Sequence, residues 1–348
     1  MNDAFPLSRA HNTADAPERK GRYPPAVHLA DLIVWDNHVC LPIHPDGHWF
    51  DQLERHRAAG ATFVSVNIGD AEVPLETMLA MADCFRAAIS AQPDRYVLAT
   101  SVDIVRRAKT EGRLAVAFDI EGMRALGDDI RLIERFYALG VRWMLIAYNC
   151  ANLIGAGCHD ADDHGLTPLG RRFLDEMDRV GMVICCSHTG YRTSRDVLER
   201  ATKPVIFSHS NALALRQHPR NIPDDLIRLC ARTGGVVGIN GLSVFLGGTD
   251  RLVERLVDHI DHVAGVAGHS HVGLGLDYVY DQDDLMQQLE AARNVWPAGF
   301  GYEPGITFVE PEQLPAITDL LLTRGFSDDD VRGIMGGNFM RVAEAVWR

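Results

Sequence analysis

Short apolar runs alternate along the chain with longer stretches in which apolar residues recur at helical spacing. The apolar runs predict eight strands, at residues 31–37, 62–68, 114–120, 142–148, 182–187, 204–208, 234–240 and 271–276. Between them, helical patterns lie near residues 72–92, 100–111, 128–139, 168–180, 190–201, 223–233 and 250–266. Strands that alternate with helices in this way are typical of βαβ units and a parallel sheet.

Eight such units favour an α/β fold of the (β/α)8 TIM-barrel type, which takes about 250 residues plus insertions. An open doubly wound sheet is the alternative, but the Gly-rich phosphate turn that normally follows its first strand is missing after Val34. Beyond the eighth strand, the composition from Pro297 to Pro315 predicts a long loop that would cover the top of the barrel, and residues 327–347 predict a final helix. We therefore expect a flexible N-terminal arm over residues 1–25 and one barrel domain with a C-terminal helical extension over residues 26–348.

Composition narrows the function classes. A formal net charge of −13 on 348 residues argues against nucleic-acid binding, because no basic stripe would neutralise phosphates. The first 25 residues lack the apolar core of a signal peptide, and no run approaches the roughly 20 apolar residues of a membrane span. Seven scattered cysteines without a CxxC pair favour reduced thiols. The chain is expected to be cytoplasmic, with neither a nucleic-acid nor a membrane partner.

Metal-binding residue types stand where the predicted strands end. They are His38, Cys40, Glu121, His188, His209 and Asp277. Because the carboxyl ends of parallel barrel strands meet at one face, we expect these side chains to converge. Two histidines that follow consecutive strands in matching Ser-His contexts suit zinc or a similar divalent metal.

Taken one at a time, several of these residues allow two interpretations. Glu121 suits either a functional carboxylate or a loop cap. Cys40 suits a metal ligand and an unliganded thiol equally, and Asp277 suits a helix cap or a proton carrier. Arg220, in a loop after the sixth strand, suits either an exposed charge or a fork for a substrate carboxylate.

A set of motifs taken together resembles the membrane (renal) dipeptidase family, the M19 metallopeptidases, and especially its soluble bacterial members. The likeness runs from about residue 31 to the C-terminus. The motifs are Phe118-Asp119-Ile120-Glu121-Gly122, Gly165-Leu166-Thr167-Pro168-Leu169-Gly170, Ser187-His188, Phe207-Ser208-His209-Ser210-Asn211-Ala212, His218-Pro219-Arg220-Asn221-Ile222-Pro223-Asp224-Asp225, Gly275-Leu276-Asp277 and Gly336-Gly337-Asn338-Phe339.

The resemblance implies a barrel with two zinc ions per chain, one zinc being the alternative. His38 would bind the first zinc, Glu121 would bridge, and His188 and His209 would bind the second. Arg220 would hold the carboxylate of a dipeptide, and Asp277 would shuttle a proton. Homodimers are common in the resembled family, although the sequence itself does not indicate an interface.

Two positions depart from the family pattern. The Asp of the family's His-x-Asp motif is Cys40 here, so Cys40 becomes the candidate second ligand of the first metal. The His that polarises the scissile carbonyl in many members falls on Tyr148, whose phenol could still donate to an oxyanion. The next residue, Asn149, is a candidate for substrate binding.

The predicted function is therefore that of a zinc-dependent dipeptidase, of the EC 3.4.13 type, which acts on small peptides with a free carboxylate. One alternative is a single-metal amidohydrolase with another small substrate, such as a lactone or an acylated amine. Another is a non-hydrolytic relative whose first metal site is degenerate because of Cys40. A purely structural barrel is disfavoured by the number of strand-end ligands and acids.

Overall fold

The computed structural model describes residues 27–348, so the predicted N-terminal arm lies outside the described residues. The strands of this part of the chain are β1 Trp35–Cys40, β2 Phe63–Asp70, β3 Tyr96–Leu98, β4 Leu114–Glu121, β5 Val141–Leu145, β6 Val183–Cys185, β7 Val205–Ile206, β8 Val237–Ile239, β9 Val272–Leu274 and β10 Tyr278–Val279. Its α-helices are α1 Glu54–Ala58, α2 Leu75–Ala91, α3 Val102–Glu111, α4 Arg131–Leu139, α5 Pro168–Val180, α6 Tyr191–Arg200, α7 Asp224–Arg232, α8 Ser243–Leu246, α9 Leu252–Ala267, α10 Gln282–Ala291, α11 Leu314–Thr323, α12 Asp328–Arg332 and α13 Asn338–Val346.

Eight of the strands form the barrel wall in the order β1, β2, β4, β5, β6, β7, β8, β9, and every pairing among them is parallel. The ring closes between β7 and β8 through an isolated parallel bridge of Phe207 with Val237. The Phe207 N–H donates to the Val236 carbonyl at 3.0 Å, and the Gly238 N–H donates to the Phe207 carbonyl at 2.7 Å. The predicted (β/α)8 barrel is thus confirmed.

Strand β4 shows how the sequence divides the two faces of the wall. Leu114, Val116, Phe118 and Ile120 belong to the larger apolar core, together with residues of the surrounding helices. Ala115 and Ala117 belong to a second cluster with Trp35 and Trp143 from neighbouring strands. Because side chains alternate along a strand, Asp119 and Glu121 point to the same side as these two alanines, into the barrel.

The predicted elements shift at three places. The first strand was expected at 31–37, but Leu29–Asp31 forms a 3-10 turn and pairing with β2 starts at Trp35, so His38 lies inside β1 rather than after it. The expected continuous last helix is wrong, because α12 and α13 are separated by a π-helical turn at Gly333–Gly337. The stretch after the eighth wall strand also contains β10, α10 and α11, which the sequence reading did not separate.

The break in the last helix follows from close packing against the barrel. A Cβ atom on Gly336 would lie 2.4 Å from the Ile33 carbonyl oxygen, so the main chain approaches the start of β1 closely there. The α13 residues Phe339 and Val346 pack in the same cluster as Trp35, whose ring stacks on Phe63 at 3.6 Å between centroids. The C-terminal helix therefore covers the amino-terminal end of the barrel.

Candidate metal centre

The predicted ligands converge at the carboxyl ends of the barrel strands. His38 and Cys40 come from β1 and Glu121 from β4, while His188, His209 and Asp277 follow β6, β7 and β9. Potential ligand atoms fall into three overlapping groups, within each of which they lie no more than 4.8 Å apart. The groups are His38–Cys40–Glu121, Glu121–His188–His209 and His38–His209–Asp277.

Glu121 connects the first two groups. Its Oε1 lies 3.1 Å from His209 Nε2 and 3.3 Å from His188 Nε2, whereas its Oε2 lies 3.5 Å from His38 Nε2. The two carboxylate oxygens therefore face different sets of ligands. This is the geometry of a carboxylate that can be shared by two cations.

His38, Cys40 and Asp277 form the other side of the cluster. His38 Nε2 is 3.4 Å from Cys40 Sγ and 3.4 Å from Asp277 Oδ1, and Cys40 Sγ is 3.7 Å from the same Asp277 oxygen. The His38 ring also stacks on the His209 ring with centroids 4.2 Å apart. The cysteine is thus placed among the candidate ligands and not on the far side of the strand.

Hydrogen bonds set the tautomer of His188. Asn149 Oδ1 lies 2.7 Å from His188 Nδ1, and because an amide oxygen only accepts, Nδ1 carries the proton. The His188 Nε2 lone pair is then left facing the centre, where it lies 2.9 Å from His209 Nε2. Asn149 is fully buried and also donates to the Val295 carbonyl at 3.3 Å, so its side chain engages the histidine and not the cleft.

His209 and His38 have partners of the same kind. Ser208 Oγ lies 2.8 Å from His209 Nδ1, and Asp119 Oδ1 lies 3.2 Å from His38 Nδ1 in an ion-pair contact without an aligned hydrogen bond. Asp119 is itself held by Ser65 Oγ, which donates at 2.6 Å, and by Asn67, which donates at 3.1 Å. Partners that fix the far nitrogen of an imidazole are typical of histidines that bind metals.

These residues fit a cation. The Oε1 atom of Glu121 and two imidazole nitrogens converge on one point, and Glu121 Oε1 is a buried oxygen without an aligned hydrogen bond. A divalent metal ion at that point would bind the carboxylate oxygen and both imidazole nitrogens at once. Imidazole, carboxylate and thiolate together suit zinc.

Burial and charge govern protonation in the centre. Burial lowers the pKa of His209 to about 3, with help from the charge of His38, so its imidazole is neutral. Burial alone would raise the pKa of Glu121, but the charge of His38 holds it well below its usual range. Burial also raises the pKa of the Cys40 thiol well above its usual range, so a cation is needed to make it a thiolate.

Asp277 lies at the mouth of the same cluster. Asn240 donates to its Oδ2 at 2.7 Å, which turns Oδ1 toward His38 and Cys40. Burial raises the pKa of Asp277 to about 6, although the charge of His38 opposes the rise. A carboxylate with this pKa can take up and return a proton near neutral pH.

Tyr148 and Arg220 border the cluster on different sides. The Tyr148 ring stacks on His188 with centroids 4.3 Å apart, and burial raises the pKa of its phenol well above the usual range, so the hydroxyl keeps its proton. Arg220 is 2% exposed and donates to the His209 carbonyl at 3.1 Å, while its Nε–H has no partner among the described residues. The sequence allows either an exposed charge or a carboxylate-binding fork at Arg220, and burial of the side chain contradicts the exposed charge.

A cleft opens above the cluster. Trp296, Tyr302 and Ile306 of the chain after α10 are part of its lining. The loop expected over Pro297–Pro315 thus contributes to the cover of the barrel mouth. Asn240 and Asp70, which also reach the centre or the cleft, were missed by the sequence reading, although both stand at strand ends and the same rule would have found them.

Fold and site together define a class: a (β/α)8 barrel with a cluster of candidate metal-binding residues at the carboxyl ends of its strands. A family model, membrane dipeptidase (peptidase family M19), matches residues 52–295. The chain therefore belongs to the membrane dipeptidase family, and the resemblance given by its motifs is confirmed.

Individual relatives agree with this. An uncharacterized dipeptidase of Schizosaccharomyces pombe is 31% identical over 248 residues, which are 69% of this chain and 55% of that protein. This chain thus spans little more than half of that relative's length. An amidohydrolase from Pseudomonas aeruginosa is 28% identical in sequence, and its structure superposes with a TM-score of 0.84 over 92% of this chain and 98% of its own.

A more distant structure shares the fold. It is a metallopeptidase from Rhodobacter sphaeroides liganded with a phosphinate mimic of the dipeptide L-Ala-D-Ala, at 21% identity and a TM-score of 0.74, covering 91% of this chain and 100% of its own. Within residues 27–348, none of the helices combines the length and apolar character that crossing a bilayer requires.

Proposed function

We propose that this chain is a zinc-dependent dipeptidase that hydrolyses the amide bond of dipeptides with a free carboxylate. The observation that carries the proposal is Glu121, whose two oxygens face two different ligand groups. Membership of the membrane dipeptidase family supports it, and a dipeptide mimic is the ligand of the Rhodobacter sphaeroides neighbour.

The residues divide between two metal positions. His38, Cys40 and Glu121 would hold one zinc, and Glu121, His188 and His209 would hold the other. Bound zinc supplies Lewis acidity, which lowers the pKa of a water molecule and polarises a substrate carbonyl.

Asp277 moves the proton in this proposal. Asn240 holds its Oδ2, so Oδ1 is the atom that accepts a proton from the attacking water and later returns it to the leaving amine.

The remaining polar residues bind and orient. Tyr148 keeps its proton and is proposed to donate from its hydroxyl to the developing oxyanion. The guanidinium of Arg220 is proposed to hold the substrate carboxylate, which would give its unpartnered Nε–H a ligand. Asn149 acts through His188, so we propose positioning and not substrate contact for it.

A second candidate function rests on Cys40. The Cys40 thiol belongs to the first ligand group, where a carboxylate would bind a hard cation more readily. Two alternatives therefore remain: a single-metal amidohydrolase of another small substrate, and a relative that binds its ligand without hydrolysing it. Metal stoichiometry separates these candidates from a two-metal dipeptidase.

The test measures zinc content and dipeptide hydrolysis on the same zinc-loaded preparation. We expect about two zinc ions per chain and release of free amino acids from Leu-Gly. Asp277→Asn should keep the zinc, because the two proposed metal positions use the other five ligand residues, and should lower kcat by about 10²–10⁴-fold, because the proton carrier is lost. Asp162→Asn, on an exposed side chain, is the matched control. A protein with two zinc ions that hydrolyses no dipeptide would overturn the proposal.

A further inference from the structure

The cleft above the metal centre carries only negative formal charge. Its lining includes no lysine or arginine, but it includes the carboxylates of Asp70, Glu121, Asp277, Asp281 and Asp284. Glu121 and Asp277 belong to the metal centre, and Asp281 and Asp284 lie at the start of α10, where acidic side chains stabilise a helix. Asp70 has neither a place in the metal centre nor a place in a helix start.

Asp70 stands directly beside Glu121. It is the last residue of β2, and its Cα is the register partner of the Glu121 Cα in the parallel β2–β4 pairing. Register partners on neighbouring strands point to the same side of a sheet, so both carboxylates face the barrel mouth. One Asp70 oxygen, Oδ1, accepts from the Glu72 N–H at 2.9 Å, and within residues 27–348 no side chain donates to this carboxylate.

Asp70 and Arg220 lie on opposite sides of the barrel mouth. In the barrel order β2 is the second strand and β7 the sixth, so the ends of these strands lie across the barrel from each other. Arg220 donates to the carbonyl of His209, which follows β7. A carboxylate of the cleft lining and a guanidinium buried outside that lining thus lie on opposite sides of the metal centre, where they would pair with the ammonium and carboxylate ends of a dipeptide.

The rest of the cleft is mainly apolar. Its lining includes Ile43, Val279, Leu285, Leu289, Trp296 and Ile306. These side chains come from the β1 end, β10, α10 and the covering loop, and they form a wall that would desolvate an aliphatic or aromatic group. An acidic side chain would meet Asp281 and Asp284 at the edge of this wall instead of a cation.

We propose that Asp70 pairs with the α-ammonium group of the substrate, and that the preferred substrates are dipeptides whose N-terminal residue has a free amino group and a large apolar side chain. This inference rests on the proposed dipeptidase function and adds to it the direction in which the substrate lies. It makes Asp70 a specificity-determining residue.

The experiment compares Leu-Gly with 4-methylpentanoyl-glycine, which has the same shape but lacks the amino group. We expect the unmodified, zinc-loaded protein to prefer Leu-Gly by at least about 10-fold in kcat/KM. Asp70→Asn should remove most of that preference by lowering kcat/KM for Leu-Gly while leaving the value for the des-amino compound within about threefold. If the des-amino compound is not turned over, its inhibition constant replaces kcat/KM.

The variant and its control are chosen to separate binding from folding. Asn keeps an oxygen that can accept from the Glu72 N–H, so the turn after β2 should survive, and Asp70→Ser serves as a second variant. Asp94→Asn removes the same charge from an exposed position and should behave as the unmodified protein. An equal loss on both substrates would indicate a structural role and overturn the assignment of Asp70, as would no loss on either.

Gly-Gly tests the apolar half of the inference. Hydrolysis of Gly-Gly as efficient as that of Leu-Gly would overturn the preference for a large apolar side chain. If the unmodified protein hydrolyses no dipeptide, the proposed function itself fails, and this outcome differs from a failure of Asp70 to discriminate between active substrates.

Discussion

At the scale of single residues, the candidate metal centre contains residues in unusual backbone conformations. Among the described residues other than glycine, positive φ angles occur at Asn149, His188, Asp277 and Arg251, and the first three belong to the site. Such conformations cost about 1–3 kcal/mol each and persist where the surroundings enforce them. At these positions the chain leaves a strand, and the left-handed conformation directs the side chain that follows the strand toward the barrel axis.

In the proposed function, the role of Cys40 decides whether one or two zinc ions bind. Because its thiol lies among the ligand atoms of the first group, we expect Cys40→Ala to lower the zinc content by about one ion per chain, and Cys40→Asp to restore it. Zinc content after dialysis is the measurement. Cys84→Ala, at a half-buried cysteine outside the ligand groups, should leave it unchanged. Unchanged zinc in Cys40→Ala would make the thiol a bystander.

At this scale, the sequence predicts a site residue correctly where a metal-binding residue type stands at the end of a predicted strand. Glu121, His188 and His209 carry ligand chemistry and stand at strand ends, so their convergence could be predicted. The burial of Arg220 and the contact of Asn149 with His188 could not, because both depend on how loops from distant parts of the sequence pack together.

At the scale of elements, the eight wall strands were predictable because each is an apolar run bounded by helical patterns. The separate strands β3 and β10 and the helix α10 were not, since they are short or only weakly periodic and owe their structure to neighbours. Strand β3, for example, pairs with β4 over Leu114–Val116, before β5 begins to pair at Phe118.

The interrupted C-terminal helix gives a prediction about stability. Gly336→Ala would place a methyl group 2.4 Å from the Ile33 carbonyl oxygen, so we expect a loss of about 1–3 kcal/mol in the free energy of unfolding. Gly265→Ala is the matched control, because a Cβ there meets no atom within 4 Å inside α9, and it should add about 0.5–1 kcal/mol. Urea unfolding of both variants tests the pair, and equal effects would contradict the packing argument.

At the scale of the whole molecule, buried neutral histidines tie stability to pH. His259 on α9 is 1% exposed and accepts the Ala212 N–H through Nδ1 at 3.1 Å, and burial lowers its pKa to about 4. Because the unfolded chain binds this proton below about pH 6.5 and the folded chain does not, the stabilisation is complete above pH 6.5. It is lost as the pH falls from 6.5 toward 4.

We expect His259 to account for about 2–4 kcal/mol of that loss. His259→Asn keeps an acceptor near the Nδ1 position but cannot titrate, so the difference in unfolding free energy between the two proteins should shrink as the pH falls from 7 to 4. Urea unfolding measures this difference, and a chelator in the buffer removes any contribution of bound metal. Parallel curves over this pH range would exclude a contribution from His259.

The closure of the barrel has a consequence for its dynamics. Two joints of the wall rest on a single bridged pair each: Asp36 with Leu274 between β1 and β9, and Phe207 with Val237 at the seam between β7 and β8, where His209 follows two residues later. Amide exchange should therefore be fastest in the wall at these two joints. A cation shared by His209, His188 and Glu121 would connect one edge of the seam to β4 and β6, and so act as a staple that slows the opening of the cylinder.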